Sequence, residues 1–308
     1  MTRQKAYIGV DVGGTYIRVG TVGTDGVPQH FEKLPQSTVF ADGDPPERLC
    51  AFLADYMRRH RLTKESIAAC AVGMPSCVDR EKRRVLSTPN IPQFAGVALA
   101  DMLEKALGLP AFLDRDVNMI YRYDRLSPEL PKKGIGIGCY FGTGIGNVVE
   151  IDGRLLSGKN GVACELGHVP VMGRSDKCGC GNEGCFENYA SGRYIAALCR
   201  EKYPGESVCA VLTDHLEDEA VQTFIDNIAV VIATEVNLFD PHYVILGGGV
   251  LLSEGFPKDA LLERLHRRIR KPYPDSGLQI FFSRTADAGG VIGAAICARA
   301  RLEGGEGI

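Results

Sequence analysis

One local pattern occurs twice in this chain, about half its length apart. Ala6–Val12 is an apolar, β-branched run that ends at Gly13-Gly14, and Tyr16–Val22 resumes the same character. Ile135–Phe141, the turn Gly142-Thr143-Gly144-Ile145-Gly146 and Asn147–Ile151 repeat the plan. A short glycine turn between two strands forces a hairpin. The remaining periodicity alternates. Apolar residues at helical spacing (Leu49, Phe52, Leu53, Tyr56/Met57) predict a helix over 47–60. Further helices are expected over 101–107, from about 117, and over 192–202, 217–238, 258–270 and 288–302. Short buried strands are expected at 67–72, 111–113, 244–246 and 278–282. Strands alternating with helices around two such hairpins predict an α/β fold with a duplicated strand–turn–strand core.

Composition excludes several classes. The chain has 308 residues, 45% hydrophobic and 24% charged, with a net charge of -3. No basic field argues for nucleic acid or an anionic membrane surface, so neither is an expected partner. No stretch reaches the roughly 20 apolar residues of a membrane span. Eleven cysteines and a start, MTRQKAYIGV, without a signal peptide point to a reducing, cytoplasmic setting. Cys70, Cys139 and Cys297 sit in apolar runs and read as small core residues.

The densest chemistry lies in CELGHVPVMGRSDKCGCGNEGCFE, Cys164 to Glu187. His168, Cys178, Cys180 and Cys185 supply one imidazole and three thiolates, the donor set of a closed tetrahedral structural zinc. Gly179, Gly181 and Gly184 allow the tight turns that bring the sulfurs to one ion. Ordinary reduced thiols are the blander alternative, and Cys-Gly-Cys-Gly is not a pattern that core packing favours. Glu165 and Glu187 flank the ligands. Zinc would draw both acids to one place, where carboxylates and an imidazole suit the hydroxyls of a sugar. On their own, two solvated surface acids are an equally good account.

Asp11-Val-Gly-Gly-Thr15 ends a buried strand with an acid and then exposes backbone N–H groups. That arrangement suits phosphate, with Asp11 near a magnesium ion and Thr15 as a donor. Gly142–Gly146 offers a second cradle, and Gly247–Gly249 would admit a flat ring to the backbone. Each alone is a turn; the three together, each after a buried strand, favour a nucleotide. Asp116 falls at a strand-to-helix junction, where it could accept a hydroxyl proton during phosphoryl transfer. By spacing alone, a helix N-cap is the commoner use of aspartate there.

These residues carry a resemblance to the ROK family (repressors, open reading frames, sugar kinases) over nearly the whole chain. The matching motifs are Asp11-Val-Gly-Gly-Thr15, Asp116-Val-Asn118, Phe141-Gly-Thr-Gly-Ile-Gly146, Glu165-Leu-Gly-His168 with Cys178/Cys180/Cys185 and Glu187, and Leu246-Gly-Gly-Gly249. The resemblance implies a two-lobed actin-like ATPase (ribonuclease H-like) fold, with ATP and sugar in the cleft, and a homodimer. It implies Asp116 as general base. It implies Asn90, Arg115, Glu165, His168 and Glu187 on the sugar, with His168 also a zinc ligand. Asp11, Gly13, Gly14, Thr15, Tyr16, Gly142, Thr143, Gly144 and Gly248 would hold Mg-ATP.

The lobes are expected at 1–118 and 119–293, with the helix from about 294 to 308 packed back on the first. Within the family, Arg115-Asp116-Val117-Asn118 and Ser87-Thr-Pro-Asn-Ile-Pro92 are most similar to the branch that phosphorylates D-allose. The expected function is therefore an ATP-dependent hexose kinase acting on the 6-hydroxyl. Glucose, N-acetylmannosamine and fructose are the alternative acceptors. Arg115 stands where family kinases often have Asn, and Tyr16 where the phosphate motif often continues with Lys; Arg18 is the candidate replacement charge. Only about ten residues precede Asp11, too few for the helix-turn-helix of a family repressor, so a sugar-sensing regulator is the lesser expectation.

Overall fold

The computed structural model describes residues 5–88, 91–284 and 287–305. The chain divides into two compact units. The first comprises Met1–Pro128, Ser157–Ala163 and Ala286–Ile308, and the second Glu129–Leu156 and Cys164–Thr285.

In the first unit, β1 (Ala6–Val12) and β2 (Tyr16–Val22) form the expected hairpin, in register from Tyr7 opposite Val22 to Val12 opposite Ile17. β3 (Pro28–Pro35) adds an antiparallel edge to β2. Its sequence, PQHFEKLP, is polar, flanked by prolines and largely exposed, so pairing with β2 rather than burial makes it a strand. The chain continues through α1 (Gln36–Val39), α2 (Pro45–Arg59), β4 (Ile67–Met74), β5 (Cys77–Val78), β6 (Val85–Ser87), α3 (Leu99–Leu107), β7 (Ala111–Arg115) and α4 (Asp116–Asp124). The main sheet has the order β3-β2-β1-β4-β7, with β1, β4 and β7 parallel.

The second unit holds β8 (Ile135–Phe141), β9 (Ile145–Ile151), β10 (Arg154–Leu155), α5 (Glu187–Ala190), α6 (Gly192–Lys202), α7 (Val208–Asp214), α8 (Glu219–Phe239), β11 (Tyr243–Gly247), α9 (Gly248–Leu251), α10 (Lys258–Arg268) and β12 (Gln279–Phe282). Its sheet order is β10-β9-β8-β11-β12, with β8–β9 antiparallel and β8, β11 and β12 parallel. The two sheets share one topology, so the duplication read from the hairpins extends to every strand of both main sheets; β5 and β6 pair only with each other and, among the described residues, have no counterpart. Among the described residues, α8 alone is long and apolar enough to cross a membrane. Here its Phe224, Ile228, Ile232 and Val236 fill the second core.

The last helix, α11 (Gly289–Leu302), belongs to the first unit. Residues 119–128 and 287–293, expected in the second lobe, lie in the first, where α4 and α11 pack together against its sheet. Ala69 and Ala71 of β4, Met119 of α4 and Ala294, Cys297 and Ala298 of α11 form one buried cluster. Small residues let the backbones close in. A Cβ on Gly9 would stand 2.0 Å from Val291 O, and one on Gly293 1.7 Å from Met119 O. Gly293→Ala is therefore expected to destabilise the chain by about 3 kcal/mol through overpacking against backbone that cannot yield. An unchanged denaturation midpoint would contradict this packing. Cys70, Cys139 and Cys297 are all buried, as their apolar settings suggest.

Candidate functional site

In the first unit, two acids come together at the ends of β1 and β7. Glycines make room for them. A Cβ on Gly73 would lie 3.3 Å from the Asp116 Cα, and one on Gly290 would lie 2.8 Å from the Asp11 carboxyl carbon. β7 runs two residues further than its apolar pattern suggested, through Arg115, and α4 starts at Asp116 itself. Arg115 thus takes the N-cap position and Asp116 the first helical one, so capping does not account for this aspartate. Its Oδ1 accepts the Val117 N–H at 2.7 Å. Burial, and then the like charge of Asp11, push the Asp116 carboxyl up to about 7 although one edge still meets water. Asp11 is also raised by its burial, against the pull of Arg18. Two acids whose ionisation is discouraged, on a buried strand end, are a frequent mark of a reactive site.

The β1–β2 turn is held open. Gly13 N–H donates to Tyr16 O at 2.9 Å, and the Gln36 side chain donates to Gly13 O at 3.0 Å. Nothing lies within 4 Å of a Cβ built on Gly14. Arg18 sits opposite Asp11 in the ladder and donates Nη1 to its Oδ2 at 3.1 Å. Lys33 Nζ stands 5.0 Å from the Tyr16 ring centroid, with the Arg18 guanidinium 5.9 Å away. Two cations therefore stand beside the turn where Tyr16 carries none, Arg18 paired with Asp11 and Lys33 with Asp287 at 2.8 Å. Lys33 arrives on β3, the strand whose polar sequence conceals it.

Arg115 is buried, and its Nη1 donates to the carbonyl of Ala163 at 2.9 Å. That bond fastens Ser157–Ala163 to the first unit. Asn90 lies outside the described residues.

In the second unit the β8–β9 turn is built likewise. Gly142 N–H donates to Gly144 O, and the first N–H groups of α6 tie the turn down through Gly192 to Gly142 O (2.7 Å) and Arg193 to Thr143 O (3.2 Å). Gly142 faces open space. Gly144 does not: a Cβ there would meet Glu187 Oε2 at 2.3 Å. That oxygen accepts the Ile145 N–H at 3.0 Å and lies 3.6 Å from where a Cβ of Gly167 would be. Glu187 therefore links the glycine turn to the Glu165–His168 loop. In the third glycine run, the space at Gly247 is filled by Tyr140 and Ser283, and at Gly248 by the Phe141 backbone; only Gly249 is open. The approach that Gly247 and Gly248 permit is thus of protein to protein.

The donor atoms of His168, Cys178, Cys180 and Cys185 all lie within 4.8 Å of one another. Cys178 Sγ is 3.6 Å from His168 Nδ1, and Cys180 Sγ is 3.7 Å from Cys185 Sγ. A tetrahedral ion with metal–sulfur bonds of about 2.3 Å sets its ligands about 3.8 Å apart, so the four donors fit an ion of that size. Burial and the neighbouring thiols push Cys185 up to about 12, a state that a bound cation would reverse. The other imidazole nitrogen, Nε2, faces Glu165 Oε2 at 3.8 Å. A carboxylate behind a histidine ligand is a common support for its orientation.

Residues 7–301 match the ROK family. The chain is 30% identical to a glucokinase of Thermotoga maritima, over 96% of this chain and 98% of that protein. It is also 30% identical to an N-acetyl-D-glucosamine kinase of Vibrio cholerae, over 94% and 98%. Its fold is similar to that of a ROK family glucokinase from Streptomyces griseus solved with glucose and AMPPNP. The TM-score is 0.78 at 27% identity, covering 96% of this chain and 99% of that one. The duplicated sheets are thus those of a two-lobed actin-like ATPase fold, and this chain belongs to the ROK family as one of its hexose kinases.

Proposed function

We propose that this chain transfers the γ-phosphoryl group of ATP to the 6-hydroxyl of a hexose, with Asp116 as general base and D-allose as the preferred acceptor. The observation that carries the base is Asp116 itself, held at about 7 beside Asp11 at the β7–α4 junction. A carboxylate so placed takes the proton of the hydroxymethyl oxygen. That oxygen bonds to the γ-phosphorus as the bond to the β–γ bridging oxygen breaks, and ADP leaves. The turns at Gly13–Tyr16 and Gly142–Gly144 are assigned to the nucleotide; Gly248, expected there too, is closed off by the Phe141 backbone and is not. A magnesium ion, with Asp11 as its residue here, would neutralise phosphate charge. Arg115, Glu165, His168, Glu187 and Asn90 are assigned to the sugar. The ion fitted by His168, Cys178, Cys180 and Cys185 is proposed to be zinc, structural because protein fills all four positions.

The runs around Arg115 and Ser87–Pro92 support allose; the names of the relatives above favour glucose or N-acetylglucosamine instead. Coupled ADP release with Mg-ATP and a panel of allose, glucose, mannose, fructose, N-acetylglucosamine and N-acetylmannosamine separates them. The expected result is the highest kcat/KM for allose. Preference for another hexose discards allose and keeps the kinase, and no turnover with any sugar overturns both.

A further inference from the structure

Lys82 lies in the turn that joins β5 to β6, and it occupies a position that suits lysine poorly. Its backbone φ is 59°, a left-handed value natural to glycine, and the residue is only 4% exposed. Lysine is also among the residues least often buried. Set against both costs is one contact. Lys82 Nζ donates to Asp114 Oδ1 at 2.9 Å, and Asp114 is 1% exposed.

Asp114 stands two residues before Asp116 and is the hub of the junction. Its Oδ1 also accepts the Arg115 N–H at 2.9 Å and the Asn118 side-chain amide at 2.7 Å, which together fix the turn from β7 into the first turn of α4. Its Oδ2 accepts from Arg122 at 3.3 Å. Burial alone would raise this carboxyl, yet Lys82 and Arg122 hold it at about 2, so it stays ionised.

The other end of the link is equally firm. The Lys82 carbonyl accepts the Leu113 N–H at 3.0 Å, and its own N–H donates to Asp79 O at 3.0 Å. Asp79 Oδ1 then accepts the N–H groups of Arg83 and Arg84 at 2.7 and 2.9 Å. This closed turn passes directly into Val85–Ser87 and Thr88, whose hydroxyl donates to Pro75 O at 3.2 Å.

We propose that Lys82 is a positioning residue: through Asp114 it locks the β5–β6 turn, and the sugar-side run that leaves it, to the strand–helix junction that aims Asp116. The inference rests on the assignment of Asp116 to the hexose hydroxyl. Without the lysine, Asp114 keeps Arg122 and Asn118, so the unit retains a satisfied carboxylate. What is lost is the side-chain bond to Asp114, which leaves only the main-chain bond from the Leu113 N–H to hold this turn to β7, and small misplacements between reacting groups cost about 100-fold.

The test is steady-state kinetics of Lys82→Met and Lys82→Gly, with thermal melting of each. The expected kcat/KM for the hexose falls roughly 100-fold, divided between a higher hexose KM and a lower kcat, while the KM for Mg-ATP stays within about twofold. Lys82→Arg, which keeps the charge, recovers most of the loss. The glycine variant is at ease at a φ of 59° and covers the case in which methionine does not fold. Folded variants with unchanged hexose parameters overturn the proposal, and so does failure of both to fold, which would make the lysine purely structural. Asp116→Asn, measured in parallel, separates this result from the base assignment: if that variant is active, the base is removed but the hexose KM of the Lys82 variants is still judged by itself.

Discussion

Asp116→Asn lowers kcat by about 10²–10⁴-fold and leaves the KM values for hexose and Mg-ATP within a few-fold of the parent. The amide keeps the shape of the carboxyl and its contact with the Val117 N–H, but it cannot take the hydroxyl proton. In the parent, burial and Asp11 raise Asp116 to about 7, so kcat/KM should climb as pH rises through that value and then level. The same displacement has a sign for stability. The folded chain holds this proton more tightly than the unfolded chain, whose aspartates titrate near 3.8. The associated stability is complete below about pH 4 and is lost as pH rises towards 7. Asparagine carries no charge to desolvate. At pH 8 the variant should therefore be the more stable protein, by about 2 kcal/mol once the partial exposure of Asp116 to water is allowed for. Loss of activity with a gain in denaturation midpoint is hard to produce by misfolding. Near-parental turnover would sink the base assignment.

Cys178→Ser, or exhaustive chelation, is the second large effect. The parent is expected to contain about one zinc per chain and the variant substantially less. Apart from its own short-range turn bonds, the loop is held by two isolated bridges, Pro170–Cys185 and Lys177–Glu183, by the hydrogen bonds from Asn188 to the carbonyls of Asp176 and Lys177, and by Tyr189, whose hydroxyl donates to Asp176 Oδ2 and whose ring faces Arg174. A structural zinc contributes roughly 10–16 kcal/mol of binding free energy, far more than those contacts. Its loss should release His168 on one side of the loop and Glu187, two residues past Cys185, on the other. Since Glu187 also holds the Ile145 N–H, the β8–β9 turn should loosen with it. The melting temperature falls, hexose KM rises, and added zinc restores the chelated parent but not the variant. A metal-free protein with parental melting and hexose KM would show that the four donors are ordinary thiols and an imidazole.

What the sequence displays depends on how local the cause is. Both hairpins, their glycine turns and most helix ends were legible because each rests on neighbours in the chain. β-branched runs make strands, glycines break them, and helical spacing marks a buried face. The Cys/His cluster was legible for the same reason, with its ligands inside eighteen residues. The motifs that mark the ROK family follow from such local patterns.

Where the cause is distant, the pattern is silent. β3 exists because β2 pairs with it, and its polar edge has no apolar period to betray it; Lys33 beside Tyr16 was hidden with it. Ser157–Ala163 joins the first unit although its neighbours on both sides belong to the second, held by a bond from Arg115 across 48 residues. Asp114 falls just past the strand expected at 111–113 and Lys82 is one charge among the mixed charges of 79–84, and burial 32 residues apart makes them a pair. By itself the sequence determined most of the longer elements, the family and the chemistry of the candidate residues. Only the tertiary structure decided which charges meet away from water, because desolvation and ion pairing depend on what else is packed there and not on spacing along the chain.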